Sequence, residues 1–425
     1  MGPLLTGCTL KKPNILVITA DDMRYDHVPF MPQTQQLFGP GREFTACRQN
    51  VALCQPHRIG FLKGQYAKRN GVYTNTQYMA QASESLGPWM QQGGYSTALV
   101  GKYPLPFGSA PLAGWNVRRT LQNDSEQNAY GYGVYDGSSV TFPTEYQSDY
   151  LFDQARGFVT TLPRPWFCWL TPTNPHVGFD WSLQPRPEDL DDWLDVEWPI
   201  VDDDMVGKPS WMQGLPPFSE EAKADIRDGA IGQLQELRSV DDGIASLFAA
   251  LAATNQLSNT IVIFTSDNGV MYGEHRIGLV PSLKNCPYEP SMHVPLLARG
   301  PGFVSGSTTN MPACAQDITA TCLAVAKVTP SIPIDGRDLR TNITGRVLLH
   351  ERVGGPVAGM PNGVGVSTST RKLWRHDAED PDRYEMYLLD TDPNELVNVA
   401  YAPSFAAERA ALEAALDAEL EAALV

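Results

Sequence analysis

Two short apolar runs, each closed by a pair of oxygen-bearing side chains, limit what this chain can fold into. NILVITADD spans 14 to 22, and NTIVIFTSDNG spans 259 to 269. Both are rich in β-branched residues and show no polar alternation, the pattern of a parallel strand buried on both faces. STALVGK (96 to 102), PWFCWLTPTNPH (165 to 176) and VPLLARG (294 to 300) are further strand candidates, and helical patterns fall at 147 to 162 and 219 to 253. That alternation predicts an α/β fold: a sheet covered by helices on both faces, with ligands taken at the C-terminal ends of its strands. Beyond about residue 340 the texture changes to short strands, RVLLHE (346 to 351), GVGVSTS (363 to 369), KLWRH (372 to 376) and YEMYLLD (384 to 390), followed by an alanine- and glutamate-rich helix from about 403. A small antiparallel sheet with one helix is expected there. The expected divisions are 1 to 12 as an N-terminal segment, 13 to 340 as the main domain and 341 to 425 as a C-terminal α+β subdomain.

Acidic residues outnumber basic ones by 48 to 32, a formal charge of −16. A field of that sign disfavours nucleic acid and anionic membranes as partners. An anionic ligand therefore needs a local basic pocket. No run reaches the roughly 18 apolar residues of a membrane span. The start, MGPLLTGCTLKK, holds Leu5-Thr6-Gly7-Cys8, which is similar to the end of a bacterial lipoprotein signal and gives an expectation of an extracytoplasmic protein. A flexible N-terminus of a cytoplasmic protein is the alternative. The seven cysteines are odd in number, unevenly spaced and without a CxxC pair, against a disulfide framework or a structural zinc site.

Asp21 and Asp22 are adjacent at one strand end, and Asp267 and Asn268 at another. Converging at the mouth of one sheet, they supply the oxygens that calcium or magnesium requires. Taken singly, either doublet also fits the cap of a turn. Cys54 opens the segment Cys54-Gln55-Pro56-His57-Arg58, in which Pro56 suits the first turn of a helix and a thiol at its N-terminus could act as a nucleophile. A buried core cysteine is the plainer alternative.

Through CQPHR the chain resembles the type I sulfatases, in which a cysteine inside C-x-P-x-R is oxidised to formylglycine. The resemblance extends through PNILVITADD, GQYAKRNGV, GYSTALVGKY, NPHVGF, TSDNG, GEHRIG, KNCPYEPSMHVPLLARGPG, PIDGRDL and YEMYLLDTDPNELVNVA, in the family's order from residue 13 to residue 400. It implies an alkaline-phosphatase-like α/β/α sandwich with a large, mixed, mostly parallel sheet and makes 13 to 340 the catalytic domain. It implies a sulfuric ester hydrolase that takes a small-molecule or oligosaccharide sulfate ester and transiently meets a formylglycine-generating enzyme. Asp21, Asp22, Asp267 and Asn268 match metal ligands for Ca2+, with Mg2+ as an alternative, and residue 54 completes the set. Arg58 matches the residue that holds the aldehyde hydrate, and Lys102, His176 and Lys284 match residues that contact the sulfate. On that basis the cations neutralise the sulfate oxygens, and His176 protonates the leaving oxygen.

Departures from the pattern bear on mechanism. Many sulfatases place a histidine two residues after the lysine of the GK motif; here Lys102-Tyr103 is followed by Pro104, which cannot move a proton. The branch that resembles N-acetylglucosamine-6-sulfatases shares this absence, which points to a carbohydrate substrate. His57 is a candidate substitute base, with a solvent-facing bystander as the alternative. Lys63 stands where the family's LTG element has threonine. Two other functions fit the same residues: a phosphonate or phosphate ester hydrolase, and a sulfated-glycan-binding homologue without turnover. The long loops at 103 to 116 and 180 to 218 are expected to line the substrate site.

Overall fold

The computed structural model describes residues 11–104, 112–196, 205–278, 283–355 and 359–424. The Leu5-Thr6-Gly7-Cys8 segment lies outside them. Ten strands form one sheet: β1 (Asn14–Ala20), β2 (Arg42–Phe44), β3 (Ser96–Gly101), β4 (Val117–Leu121), β5 (Val134–Asp136), β6 (Ser139–Thr141), β7 (Trp166–Thr171), β8 (Thr260–Ser266), β9 (Leu296–Arg299) and β10 (Ser307–Thr309). Their order is β10-β2-β9-β8-β1-β7-β3-β4-β5-β6. The centre is parallel, with β1 between β8 and β7 and β3 beyond β7, while β9 and the β4-β5-β6 meander add antiparallel pairs. The result is the mixed, mostly parallel sheet expected.

Strand β1 shows why its sequence has no alternation: Ile15 and Val17 enter one core, Leu16, Ile18 and Ala20 the other. The first core is closed by the helices Cys54–Lys63 and Ala315–Ala326, through residues such as Phe61, Leu62, Ile318 and Leu323. The second is closed by the helices Gln147–Thr161 and Glu220–Ala253, through Leu151, Phe152, Leu237 and Ile244. The 34-residue helix starts at a serine cap, with Ser219 Oγ accepting the Ala222 N–H at 3.1 Å. Among the described residues no helix is long and apolar enough to cross a membrane.

A second, antiparallel sheet runs β11 (Leu348–Arg352), β12 (Gly363–Ser367), β13 (Arg371–His376), β14 (Tyr384–Leu388). Leu412 and Leu416 of the helix Ala406–Ala422 cover Leu348, Val366, Leu373 and Met386. The four strands and the helix are those expected from the sequence. Of the two long loops, residues 105–111 and 197–204 lie outside the described set. Trp115 does not reach toward a ligand; its ring stacks on Phe167 with centroids 5.8 Å apart. Six cysteines, Cys47, Cys54, Cys168, Cys286, Cys314 and Cys322, are buried and unpaired as thiols.

Candidate active site

Register brings the two doublets together. Ala20 lies opposite Ser266 in the β1–β8 ladder, so the next residues, Asp21 and Asp267, leave the sheet side by side. Asp22 then takes φ 66°, a left-handed bend that a short polar residue tolerates, and its N–H donates to Asp267 Oδ1 at 3.1 Å. Asn268 follows, donating from Nδ2 to Asp22 Oδ1 at 2.6 Å.

Lys102 enters from β3. Gly101 (φ 101°) is required there, because a Cβ would lie 2.1 Å from the Thr171 carbonyl oxygen of β7. The lysine Nζ reaches Asp21 Oδ2 at 2.7 Å. His176 follows β7 in a loop held by the long helix, Gln233 Nε2 donating to Pro175 O at 2.9 Å and Asn174 Nδ2 to Glu236 Oε2 at 3.1 Å. Its Nε2 lies 3.6 Å from Asp22 Oδ2, and its Nδ1 is 2.7 Å from Val177 O. A carbonyl only accepts, so Nδ1 carries a proton.

Cys54 and Arg58 come from the helix Cys54–Lys63, which begins at the cysteine itself and ends where Gly64 (φ 66°) donates to Gly60 O and Phe61 O. Cys54 Sγ donates to Asp21 Oδ1 at 3.3 Å and receives Lys284 Nζ at 3.2 Å. Lys284 also bonds Asp22 Oδ1. One turn on, Arg58 Nη2 contacts Asp267 Oδ2 at 2.9 Å and Asp21 Oδ2 at 3.2 Å. Thus Asp21, Asp22, Cys54, Arg58, Lys102, His176, Asp267, Asn268 and Lys284, scattered through the chain, share one network of hydrogen bonds and ion pairs.

Three buried carboxylates face three buried cations there, and the balance sets the protonation states. Burial alone would raise Asp21, but Lys102, followed by His176, Arg58 and Lys284, holds it well below the usual carboxylate range. Burial and the neighbouring Asp21 raise Asp267 despite Arg58. Burial would neutralise Lys102 and Lys284, yet Asp21 and Asp22 respectively keep both charged. Burial pushes the Cys54 thiol well up, helped by Asp21 and Asp267. As a plain thiol, residue 54 is therefore protonated and a poor nucleophile. Burial lowers His176 more than Asp22 raises it.

The donor set fits a hard cation. Ligand atoms of Asp21, Asp22, Cys54 and His176 lie within 4.8 Å of one another, and Asn268 Oδ1 is buried with no hydrogen-bond partner among the described residues. An orphaned amide oxygen beside three carboxylates suits Ca2+ or Mg2+. The thiol is the one soft donor of the group.

A cavity of about 400 Å³ opens over Cys54, walled by Lys102, His176 and Lys284 and, farther out, by Gln127, Phe179 and Trp181. Trp181 is 61% exposed. Its wall also holds Glu126, which no motif singled out: it lies in the turn after β4, Oε1 is 3.7 Å from Lys102 Nζ, and Oε2 is buried without a hydrogen-bond partner among the described residues. Burial raises its pKa. Its only sequence signal would have been proximity to a strand paired with β3.

His57 is a different matter. It is neither solvent-facing nor on the cavity wall: it is 4% exposed, its Nδ1 has no hydrogen-bond partner among the described residues, and burial holds its pKa well down. It lies three residues past Cys54 on the same helix without lining the cavity. Lys63 is also turned inward, its Nζ donating to Glu84 O at 3.1 Å and Gln81 O at 3.3 Å.

A doubly covered sheet with this charged cluster at its strand ends defines a class, and comparison identifies it. The chain belongs to the sulfatase family, whose model, described as Sulfatase, matches residues 13–328. It is similar to a Sulf-1 homolog of Caenorhabditis elegans (29% identity over 368 residues, 76% of this chain and 48% of that protein). It is also similar to N-acetylglucosamine-6-O-sulfatase of Bacteroides thetaiotaomicron (24% identity over 482 residues, 94% of this chain and 84% of that protein). A solved structure of a protein in complex with its substrate D-Glucosamine-2-N, 6-O-disulfate superposes with a TM-score of 0.83 at 22% identity, covering 97% of this chain and 98% of that one. The chain spans about half the length of the first relatives it matches.

Proposed function

We propose that this chain hydrolyses sulfuric esters of carbohydrates, with residue 54, oxidised from cysteine to formylglycine, as the nucleophile. The observation that carries the proposal is the convergence of Lys102, Lys284 and Arg58 on Cys54 and its partner Asp21 at the floor of a cavity in a chain of charge −16. Three cations held against such a field favour an ester with a compact anionic head. The protonated thiol supports the modification, since oxidation to an aldehyde hydrate would supply a hydroxyl where the thiol is inert and would turn the one soft donor into an oxygen.

Asp21, Asp22, Asp267 and Asn268, with modified residue 54, would hold Ca2+ or Mg2+. When bound, the ion supplies Lewis acidity toward a sulfate oxygen and toward the nucleophilic hydroxyl. The remaining chemistry belongs to the chain. Lys102 and Lys284 neutralise the equatorial oxygens as sulfur is attacked. Arg58 ties Asp21 to Asp267 and fixes the carboxylate that faces residue 54. His176, whose Nδ1 proton is committed to Val177 O, donates from Nε2 to the leaving alkoxide only as an imidazolium and reverts to the Nδ1–H tautomer; Asp22 favours that charged form. Tyr103 lines the cavity but its phenol is pushed up to about 12 by burial, too high for the base that would restore the aldehyde.

The carbohydrate assignment draws on the cavity mouth, where the rings of Trp181 and Phe179 and the amide of Gln127 offer flat apolar faces and hydrogen bonds of the kind a sugar uses. The test compares initial rates on an aryl sulfate, an aryl phosphate and a phosphonate monoester, together with peptide mass spectrometry across Cys54. Aldehyde at residue 54 with sulfate turnover far above the other two is expected. A faster phosphonate rate would reassign the substrate, and intact thiol with no turnover in metal would reduce the chain to a glycan binder.

A further inference from the structure

Arg24, Arg48, Arg58, Arg186 and Arg346 are buried arginines, and each holds a carboxylate. Arg352, at the end of β11, is equally buried (3% exposed) and bonds carbonyls, as the buried Arg118 also does at Gly137 O. Its Nε donates to Asn285 O at 2.8 Å, and its Nη1 to Pro361 O at 2.7 Å and Met360 O at 3.2 Å; among the described residues no carboxylate pairs with it. Burial lowers its pKa, opposed only by Cys286 and Tyr288. A guanidinium bonded to carbonyls alone is a desolvated cation short of an anion, an arrangement that persists where an anion arrives.

There is room for one. Arg352 lines a cavity of about 600 Å³ that it shares with Lys68, Tyr73, Arg375 and Arg383. The adjacent Glu351 is occupied elsewhere, accepting from Lys68 N at 3.0 Å, Asn50 Nδ2 at 3.0 Å and Tyr73 Oη at 3.3 Å. Asp377 and Glu379 also line this cavity, at exposed positions.

Two short stretches of chain link residues of this cavity to residues of the one over Cys54. Tyr73 lines the first cavity and Asn75 the second, and Asn75 Oδ1 accepts the N–H of Gln55, the residue after Cys54. Likewise Lys284 reaches Cys54, while the carbonyl of Asn285 accepts from Arg352.

We propose that Arg352 and its cavity bind an oxyanion, a carboxylate or sulfate, borne by the sugar next to the one whose ester is cleaved. The chain would then be selective for oligosaccharides with two anionic groups on neighbouring sugars. The glycan part rests on the sulfatase reading above; the oxyanion site does not.

Crystals of the full chain soaked in sodium selenate test the site by anomalous scattering. Selenate is expected at hydrogen-bond distance from the Arg352 guanidinium, and lost in Arg352→Gln. An empty Arg352 cavity in the wild-type crystal overturns the proposal, whether or not the variant folds. Selenate at Arg352 with none over Cys54 would instead count against the sulfatase reading and leave the oxyanion site standing.

Calorimetry in solution then separates a free ion from a glycan. The Cys54→Ala chain, which cannot turn over, is titrated with a disaccharide bearing one sulfate ester and one uronate, and with its uronate methyl ester. The free acid is expected to bind at least tenfold tighter, and adding Arg352→Gln is expected to bring the two within twofold. Equal affinities in the presence of Arg352 would mean an adventitious ion only and would overturn the glycan assignment.

Discussion

Around Cys54, the carboxylates of Asp21, Asp22 and Asp267 share Arg58, Lys102 and Lys284; farther along the molecule, Glu289 and Glu395 share Arg48 and Lys372. Both clusters are buried ions drawn from distant parts of the chain. In the second, both Glu289 oxygens meet Arg48 Nε, at 2.8 and 2.9 Å, Lys372 Nζ is 3.1 Å away, and Glu395 accepts the Glu289 N–H at 2.6 Å. None of its four residues lines the cavity over Cys54 or the one at Arg352. In the first, both lysines face a cavity and an amide oxygen is left without a hydrogen-bond partner among the described residues. Buried charge in itself therefore does not mark a working site. The set that joins β13 to the loops of the large sheet faces neither cavity; the set that opens on one is placed to meet a ligand.

Single substitutions can break that contrast. Cys54→Ala is expected to abolish sulfate ester turnover while the thermal unfolding midpoint stays near that of the parent; appreciable activity would remove residue 54 from the chemistry. Asp267→Ala should take away both bound metal and activity, measured by elemental analysis of the purified variant, and full metal content would contradict its place among the ligands. Lys102→Ala and Lys284→Ala should each lower kcat/KM by an amount equivalent to roughly 2–4 kcal/mol of transition-state stabilisation. Losses well under tenfold at both would make the first cluster as purely structural as the second. In that second cluster, Lys372→Met strands Glu395, leaves Glu289 to Arg48 alone and should cost about 3–5 kcal/mol in denaturant unfolding, with kcat of the folded fraction unchanged. His57→Ala should leave both turnover and the level of any covalent sulfate adduct within twofold of wild type, read by rapid-quench mass spectrometry. Accumulation of the adduct would show that a ring off the cavity wall is still the missing base.

Much of the fold was legible because its central strands are buried on both faces. Nothing but an apolar run fits β1, β7 and β8, and the polar residues at their ends stand out for the same reason. The edges were not legible: β2, β5, β6 and β10 are three residues each, too short for a period to register. The helix Ala315–Ala326 also went unannounced, since eleven of its twelve residues are buried and it shows no polar stripe. In the site, residues that recur in motifs could be named in advance. Glu126 could not, because a carboxylate in a turn acquires meaning only when β4 pairs with β3 and carries that turn to Lys102. The burial of His57 was not legible for a related reason: a solvent-facing bystander stood as the alternative to a substitute base. In CQPHRIGFLK polar and apolar residues mix too irregularly to show which side is covered.

The burial of the helix Cys54–Lys63 carries an implication about time. All ten of its residues are packed away, under the strands on one side and the helix Ala315–Ala326 on another. A small molecule could reach the sulfur through the cavity, but a second protein could not grip Gln55, Pro56 and Arg58 without dismantling the core. Any enzyme that selects Cys54 by its neighbours must therefore meet this stretch as loose chain, before strands made two hundred residues later close over it. The window for converting this sulfur would then be set by how quickly the nascent polypeptide folds. A molecule that folded first would keep its thiol for life.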